Sequence, residues 1–105
     1  MLKKIIEYDK EQKENKVREY NKRGNLIYSK NSYGFEWWRK YDKNDNLIHY
    51  KDSDGFESWK GYDKNGNCIH YKNSNGYECL YEYDENGNLI HFKDSSGFEY
   101  WNKYK

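Results

Sequence analysis

The sequence has no proline, one methionine and two cysteines. It also has no stretch approaching the roughly 20 apolar residues that span a bilayer. With no proline, nothing in the chain interrupts a β-ladder. The opening MLKKIIEYDKEQ carries too short an apolar run for a secretion signal, so the expectation is a soluble, cytoplasmic chain with no membrane partner. Cys68 and Cys79 lie in one segment and have no counterparts elsewhere, so they read as substitutions, not as a disulfide framework or a metal site. A charge of one sign is missing too: 19 basic and 18 acidic residues leave a formal net charge of +1. That balance gives no electrostatic footprint for nucleic acid and no acidic tail.

Hydrophobic residues are only 34% of the 105, a figure that alone points to disorder, but 20% of the chain is aromatic, with 13 Tyr and 4 Trp. The apolar material is therefore concentrated in rings, each able to bury roughly 150–250 Å². Lys, Asn, Tyr and Ile are abundant, as in low-GC bacteria and their phages.

These rings recur at a fixed interval. Tyr20, Tyr41, Tyr62 and Tyr83 each open a copy of one 21-residue unit, which reads YDENGNLIHFKDSSGFEYWNK in its last occurrence. Such a unit buries little alone and stacks on its neighbours. Each copy holds two turn signals, one spanning 42–45 in the second copy and the other 52–55. Both begin with Asp or Asn and end with Gly, or once with Asp45, where a left-handed residue is needed. Between them lie short runs rich in Ile, Tyr, Phe and Trp, the composition of strands. The predicted fold is all-β: an antiparallel β-hairpin repeat array, a meander of about ten strands in an open curled or spiral sheet. It forms a single domain, 1–105, with a cap at 1–19 and repeats at 20–40, 41–61, 62–82 and 83–103. In the cap, Leu2, Ile5, Ile6 and Val17 suggest two strands joined by a polar turn around Lys13, Glu14 and Asn15; the alternative is a short helix, since EQKENKVRE is rich in helix formers.

A period of 21 is odd, and side chains alternate faces along a strand. Copies can present the same faces only if the two turns differ in parity or one strand carries a bulge. The preferred arrangement makes the 52–55 type of turn a three-residue loop and the 42–45 type an even loop. It pairs Lys30 with Glu36, Lys51 with Glu57, Lys72 with Glu78 and Lys93 with Glu99. It places Ile48, Tyr50, Phe56 and Tyr62 on one face, with Leu47, His49 and Trp59 on the other. Lys103 and Lys105 would discourage pairing at the edge left by the last strand, where a second copy could otherwise dock.

The segments YDKNGNCIHYKNSNGYE and YDENGNLIHFKDSSGFE resemble the tyrosine-aspartate (YD) repeats of bacterial Rhs proteins, and more loosely MORN-type repeats. The resemblance covers Tyr20 to Tyr104, on Tyr41, Asp42, Asn46, Leu47 and their equivalents. It implies a β architecture and a link to bacterial conflict systems. The encapsulating shell of large Rhs proteins does not carry over to four copies without a toxin domain.

His49, His70 and His91 share one position, held by Tyr28 in the first copy. Equivalent residues lie two strands, nearly 10 Å, apart, too far to share one zinc ion. The expected role is ring stacking on neighbours; no metal and no cofactor are expected. The aspartates fall in turns and the glutamates face lysines, and no phosphate loop, GxSxG or paired Cys and His is present, so the chain does not read as an enzyme. The series Trp38, Trp59, Leu80 and Trp101, with Trp37 and Tyr100 beside it, reads first as core and second as a recognition surface. Trp37 stands out as a binding residue because its counterparts Ser58, Cys79 and Tyr100 vary freely. The candidate aromatic surface is thus Trp37, Trp38, Trp59, Tyr100 and Trp101. The expected function is a non-enzymatic protein-binding module, an inhibitor or immunity-type protein that occludes a partner. The alternative is carbohydrate or cell-wall binding, since aromatic hairpin arrays resemble choline-binding repeats.

Overall fold

The computed structural model describes residues 3–9 and 14–103. Among these there is no helix; the chain forms ten strands. They are β1 (Lys3–Asp9), β2 (Glu14–Tyr20), β3 (Leu26–Lys30), β4 (Glu36–Tyr41), β5 (Leu47–Asp52), β6 (Glu57–Tyr62), β7 (Cys68–Asn73), β8 (Glu78–Tyr83), β9 (Leu89–Asp94) and β10 (Glu99–Trp101). Strand order follows chain order, as in an antiparallel meander. The all-β hairpin array expected from the sequence is the observed fold. Two compact units are present, Met1–Glu57 and Ser58–Lys105.

The cap is a hairpin, with Lys3 opposite Tyr20 and Asp9 opposite Glu14. Its β2 already includes Glu14 and Asn15, which the sequence assigns to the cap turn. Lys13 and the edge residue Lys105 lie outside the described residues.

Every turn of the four copies is built by one side chain. The Asp or Asn that opens it accepts the backbone N–H groups two and four residues on. At the 42–45 type of turn, Asp63 Oδ1 takes Asn65 N and Asn67 N, both at 2.9 Å. At the other type, Asp52 Oδ1 takes Asp54 N at 2.9 Å and Phe56 N at 3.2 Å. A backbone bond from Gly55 N to the Asp52 carbonyl closes the loop, and Asp52 N bonds the Phe56 carbonyl. Asp42 repeats this pattern with Asp45 N and the Asn46 carbonyl. Gly55 has φ +91°, and Asp45, in the equivalent place, has φ +66°. A left-handed residue is thus required at both.

This corrects the expected turn geometry. Both turns are three-residue loops, and neither is even, because both have the same Asx-to-Gly spacing and the same side-chain bonds. The odd period is absorbed instead by a register shift between Lys40 and Tyr41, where Lys40 faces His49 and Tyr41 faces Leu47. Ile48 is the extra residue, a β-bulge. Equivalent shifts fall at Glu19/Tyr20, Gly61/Tyr62 and Glu82/Tyr83. The bulge brings Leu47 to the face of Tyr41 and Tyr50, not that of His49. Lys30↔Glu36, Lys72↔Glu78 and Lys93↔Glu99 are paired as expected.

Further bonds tie successive copies together. The Tyr41 hydroxyl donates to the Leu26 carbonyl at 3.1 Å and Tyr83 to the Cys68 carbonyl at 2.9 Å. Ser53 and Ser95 each bond the backbone of the preceding hairpin, at Glu36 and Glu78, through both the amide and the hydroxyl. The opening tyrosine and the turn serine therefore have structural work. Among the described residues Cys79, 2% exposed, is the one buried hydrophobic side chain, and no large side chain is fully buried. Order comes from ladders, turn bonds and ring contacts more than from a deep core.

Candidate functional site

Alternation and pairing give each unit two unlike faces. In the first unit one face carries Ser29, Trp37 and Asp52 in one row and Arg39 with Tyr50 in the next. The other carries Tyr28, Trp38 and Lys51, then Lys40 and His49. In the second unit Tyr71, Cys79 and Asp94 share a row, as do Tyr81, Phe92 and Tyr100. The opposite face there carries Lys72 with Glu78, His70 with Leu80 and Lys93, and Glu82 with His91 and Trp101.

The face with Cys79 is packed by rings. Tyr81 meets Phe92 edge-on at 5.1 Å, and Phe92 contacts both Phe98 and Tyr100 at about 6 Å. In the first unit Trp37 stacks on Tyr50 at 6.4 Å, and the Arg39 guanidinium lies 4.1 Å over its ring. Arg39 Nε is buried with no hydrogen-bond partner, so the indole face is its compensation. Trp37 is therefore half-buried, and its counterparts Ser58 and Cys79 are 8% and 2% exposed. The variation at this position reflects local repacking on the covered face, which removes the reason for singling out Trp37. Tyr100 is half-buried in the same way.

The tryptophan series lies on the opposite face, and it is not core. Trp38 is 38% exposed, Trp59 39%, Leu80 48% and Trp101 67%. In the second unit Trp59 and Trp101 sit on strands four apart, about 19 Å by strand spacing. Between them are Lys72, Lys93, Glu78, Glu82 and Glu99, all exposed, with both signs of charge.

The histidines on this face are held by glutamates. His49 Nε2 meets Glu57 at 2.7 Å, His70 Nε2 meets Glu78 at 2.6 Å and His91 Nε2 meets Glu99 at 2.7 Å. Tyr28 does the same in the first copy, donating its hydroxyl to Glu36. Burial, reinforced by that carboxylate, pushes the Tyr28 hydroxyl up to about 12. Glu36, Glu78 and Glu99 are Cα partners of lysines as expected, yet their carboxylates, like that of Glu57, reach diagonally to the ring eight residues earlier. Short, rigid rings satisfy them, while the lysines at 51, 72 and 93 extend to solvent.

His91 is held most closely. A second carboxylate, Glu82, lies 3.1 Å from its Nδ1, and its ring stacks on Trp101 with centroids 3.5 Å apart and planes 6° from parallel. The Glu99 bond and then Glu82 raise its pKa against the opposing effect of burial. Sequence reasoning expected ring stacking, which is seen at His91, but missed these carboxylates; the constant eight-residue spacing from His or Tyr to Glu was the available signal.

No group of three or more metal-binding side chains converges among the described residues. The two cysteines are free. An open cavity of about 150 Å³ is lined by Glu78, Cys79, Leu80, Lys93, Asp94 and Ser95. The Ser95 hydroxyl there accepts the Glu78 amide and bonds the Gly76 carbonyl, so it is committed to the turn. No helix among the described residues is long and apolar enough to cross a membrane.

Fold and faces together define a hairpin-repeat protein in which each unit has a ring-packed face and a face bearing exposed indoles. No family model matches the chain, and no curated protein matches it significantly.

Proposed function

We propose that this chain is a non-enzymatic protein-binding module, a small inhibitor or immunity-type protein of bacterial or phage origin that occludes a partner protein. The observation that carries this reading is the pair of exposed indoles at Trp59 and Trp101 on hydrogen-bonded strands of the second unit. Trp dominates binding hot spots, and a pre-ordered strand pays little entropy on association. The likeness of Tyr20–Tyr104 to YD repeats supports a bacterial setting. The test is affinity capture with the wild-type chain and with Trp59→Ala/Trp101→Ala, whose circular dichroism should match. A single protein retained by the wild type and lost from the variant supports the reading; equal retention by both refutes it.

Carbohydrate binding is the second reading, favoured by one observation: Trp59 and Trp101 are separate exposed rings flanked by carboxylates, an arrangement that suits stacking on successive sugars. Titration of tryptophan fluorescence with soluble cell-wall glycans distinguishes it, since saturable quenching lost in the same variant would replace the protein-binding reading.

A further inference from the structure

The environment of His91 differs from those of His70 and Tyr28, and the difference lies in what an imidazole must do to satisfy it. Carboxylates approach both ring nitrogens, Glu99 at Nε2 and Glu82 at Nδ1. A carboxylate only accepts, and a neutral imidazole has one N–H, so only the imidazolium can donate to both. The parallel indole of Trp101 adds a cation–π face. These three groups come from two strands, Glu82 from β8 and Glu99 with Trp101 from β10. The latter is only three residues long and pairs through Glu99↔Lys93, Tyr100↔Phe92 and Trp101↔His91.

We propose that His91 is a protonation-dependent clasp that holds β10, and with it Trp101, against β9. The device is independent of what the indole face binds. Protonated, His91 ties β8, β9 and β10 together. Neutral, it presents a lone pair to one carboxylate, and that arm of the clasp becomes repulsive.

The remaining charges near it do not reproduce the effect. Lys93, on its own strand, is exposed beside Leu80 and Glu99, and Lys103 beyond β10 is exposed. The chain supplies its own comparisons. At His70 the place of Glu82 is taken by Gly61 and that of Trp101 by Leu80, leaving Glu78 as the carboxylate. At Tyr28 a hydroxyl bonds Glu36 beside Trp38, with ring centroids 5.6 Å apart, and no proton is exchanged near neutral pH.

The sign follows from the raised pKa. A group protonated more readily in the docked strand strengthens docking fully below its ordinary value of about 6.5, and that gain is lost as pH rises through the docked value.

The test is NMR of the full chain between pH 5.5 and 8.5 at constant ionic strength. It follows the His70 and His91 rings together with hydrogen-exchange protection factors. Asn102 N, bonded to the Ile90 carbonyl at 2.8 Å, reports the docked end of β10, and Asp84 N, bonded to Asn88, is the control. His91 should titrate above about 6.5, and Asn102 protection should fall across that midpoint, about tenfold for each pH unit of difference. Asp84 should not change. Glu82→Gln should lower the midpoint and shrink the fall. His91→Tyr, which copies Tyr28, should abolish the pH dependence. The proposal is overturned if wild-type Asn102 protection stays flat while His91 titrates, if His91 titrates at or below 6.5, or if His91→Tyr keeps the fall. Should His91→Tyr not fold, the wild type and Glu82→Gln decide.

Discussion

Replacing glycine by alanine at two sites should move stability in opposite directions, although the chemical change is identical. Gly55 has φ +91°, and an added Cβ would meet nothing within 4 Å. Its substitution therefore costs no steric clash and only backbone strain, about 1–2 kcal/mol for an L-residue in the left-handed region. Reduced freedom of the unfolded chain returns about 0.4–1 kcal/mol, leaving a net loss of about 1 kcal/mol. Gly61 is a strand residue facing His70, and its added Cβ would lie 3.6 Å from the His70 Cβ, an ordinary contact. There the unfolded-state term acts unopposed, and Gly61→Ala should gain about 0.5–1 kcal/mol. The two variants should thus differ by nearly 2 kcal/mol, or roughly 8–15 °C in Tm for a domain of this size. Thermal and urea melts followed by circular dichroism and tryptophan fluorescence measure it. A neutral or stabilising Gly55→Ala, or a Gly61→Ala that destabilises by about 1 kcal/mol, would refute the turn geometry or the strand register. Gly55→Asn should recover part of the loss, because Asn tolerates this conformation. Asp45 makes the same point in reverse: it holds φ +66° while its carboxylate is gripped by Arg23 at 2.7 Å and Asn25 at 2.8 Å, so Asp45→Ala should be less stable than Asp45→Gly.

Tyr83→Phe leaves the Cys68 carbonyl without its 2.9 Å donor and should cost about 1 kcal/mol in urea unfolding, with strand content unchanged. Asp42, Asp63 and Asp84 have carboxyls held below their ordinary value, chiefly by the backbone N–H of Asn46, Asn67 and Asn88. Their contribution is present above about pH 4 and is lost as pH falls through the lowered values, so Asp63→Asn should be less stable than the wild type at neutral pH in urea unfolding, with the difference shrinking as an acid titration proceeds. A thiol reagent should label half-buried Cys68 readily and Cys79 only as fast as the second unit opens, and equal rates at both would contradict the packed face.

Most of the fold was legible in the sequence because its determinants are local. Asp52 and Gly55 specify a turn through their own side-chain and backbone geometry, and so do Asp63 and Gly66. The alternation of Ile, Tyr, Phe and Trp between such turns leaves little besides hairpins. The parity of the repeat was harder. The shared Asx-to-Gly spacing at 42–45 and 52–55 already implies equivalent loops, which leaves a bulge as the remaining solution. That inference needs the side-chain bonds at both turns to be recognised as the same. The bulge at Ile48 in turn moved Leu47 across the sheet, and a one-residue slip is enough to do that.

The indole face was less legible. Trp37 and Trp38 are adjacent in sequence and chemically identical, yet one lies under Arg39 against Tyr50 and the other is open to solvent. Free variation at Trp37, Ser58, Cys79 and Tyr100 resembled tolerance at a surface, but Ser58 and Cys79 are the covered side chains.

The sequence by itself determined the period, the turns, the strands and the balance of charge, since each depends on residues within a few positions of one another. Only the tertiary structure decided which face is packed, that the glutamates serve histidines and Tyr28 instead of lysines, and that His91 meets two carboxylates and an indole at once. Those outcomes depend on which of several nearby partners a side chain reaches across strands, and the diagonal reach of a rigid ring settles that in space, not along the chain.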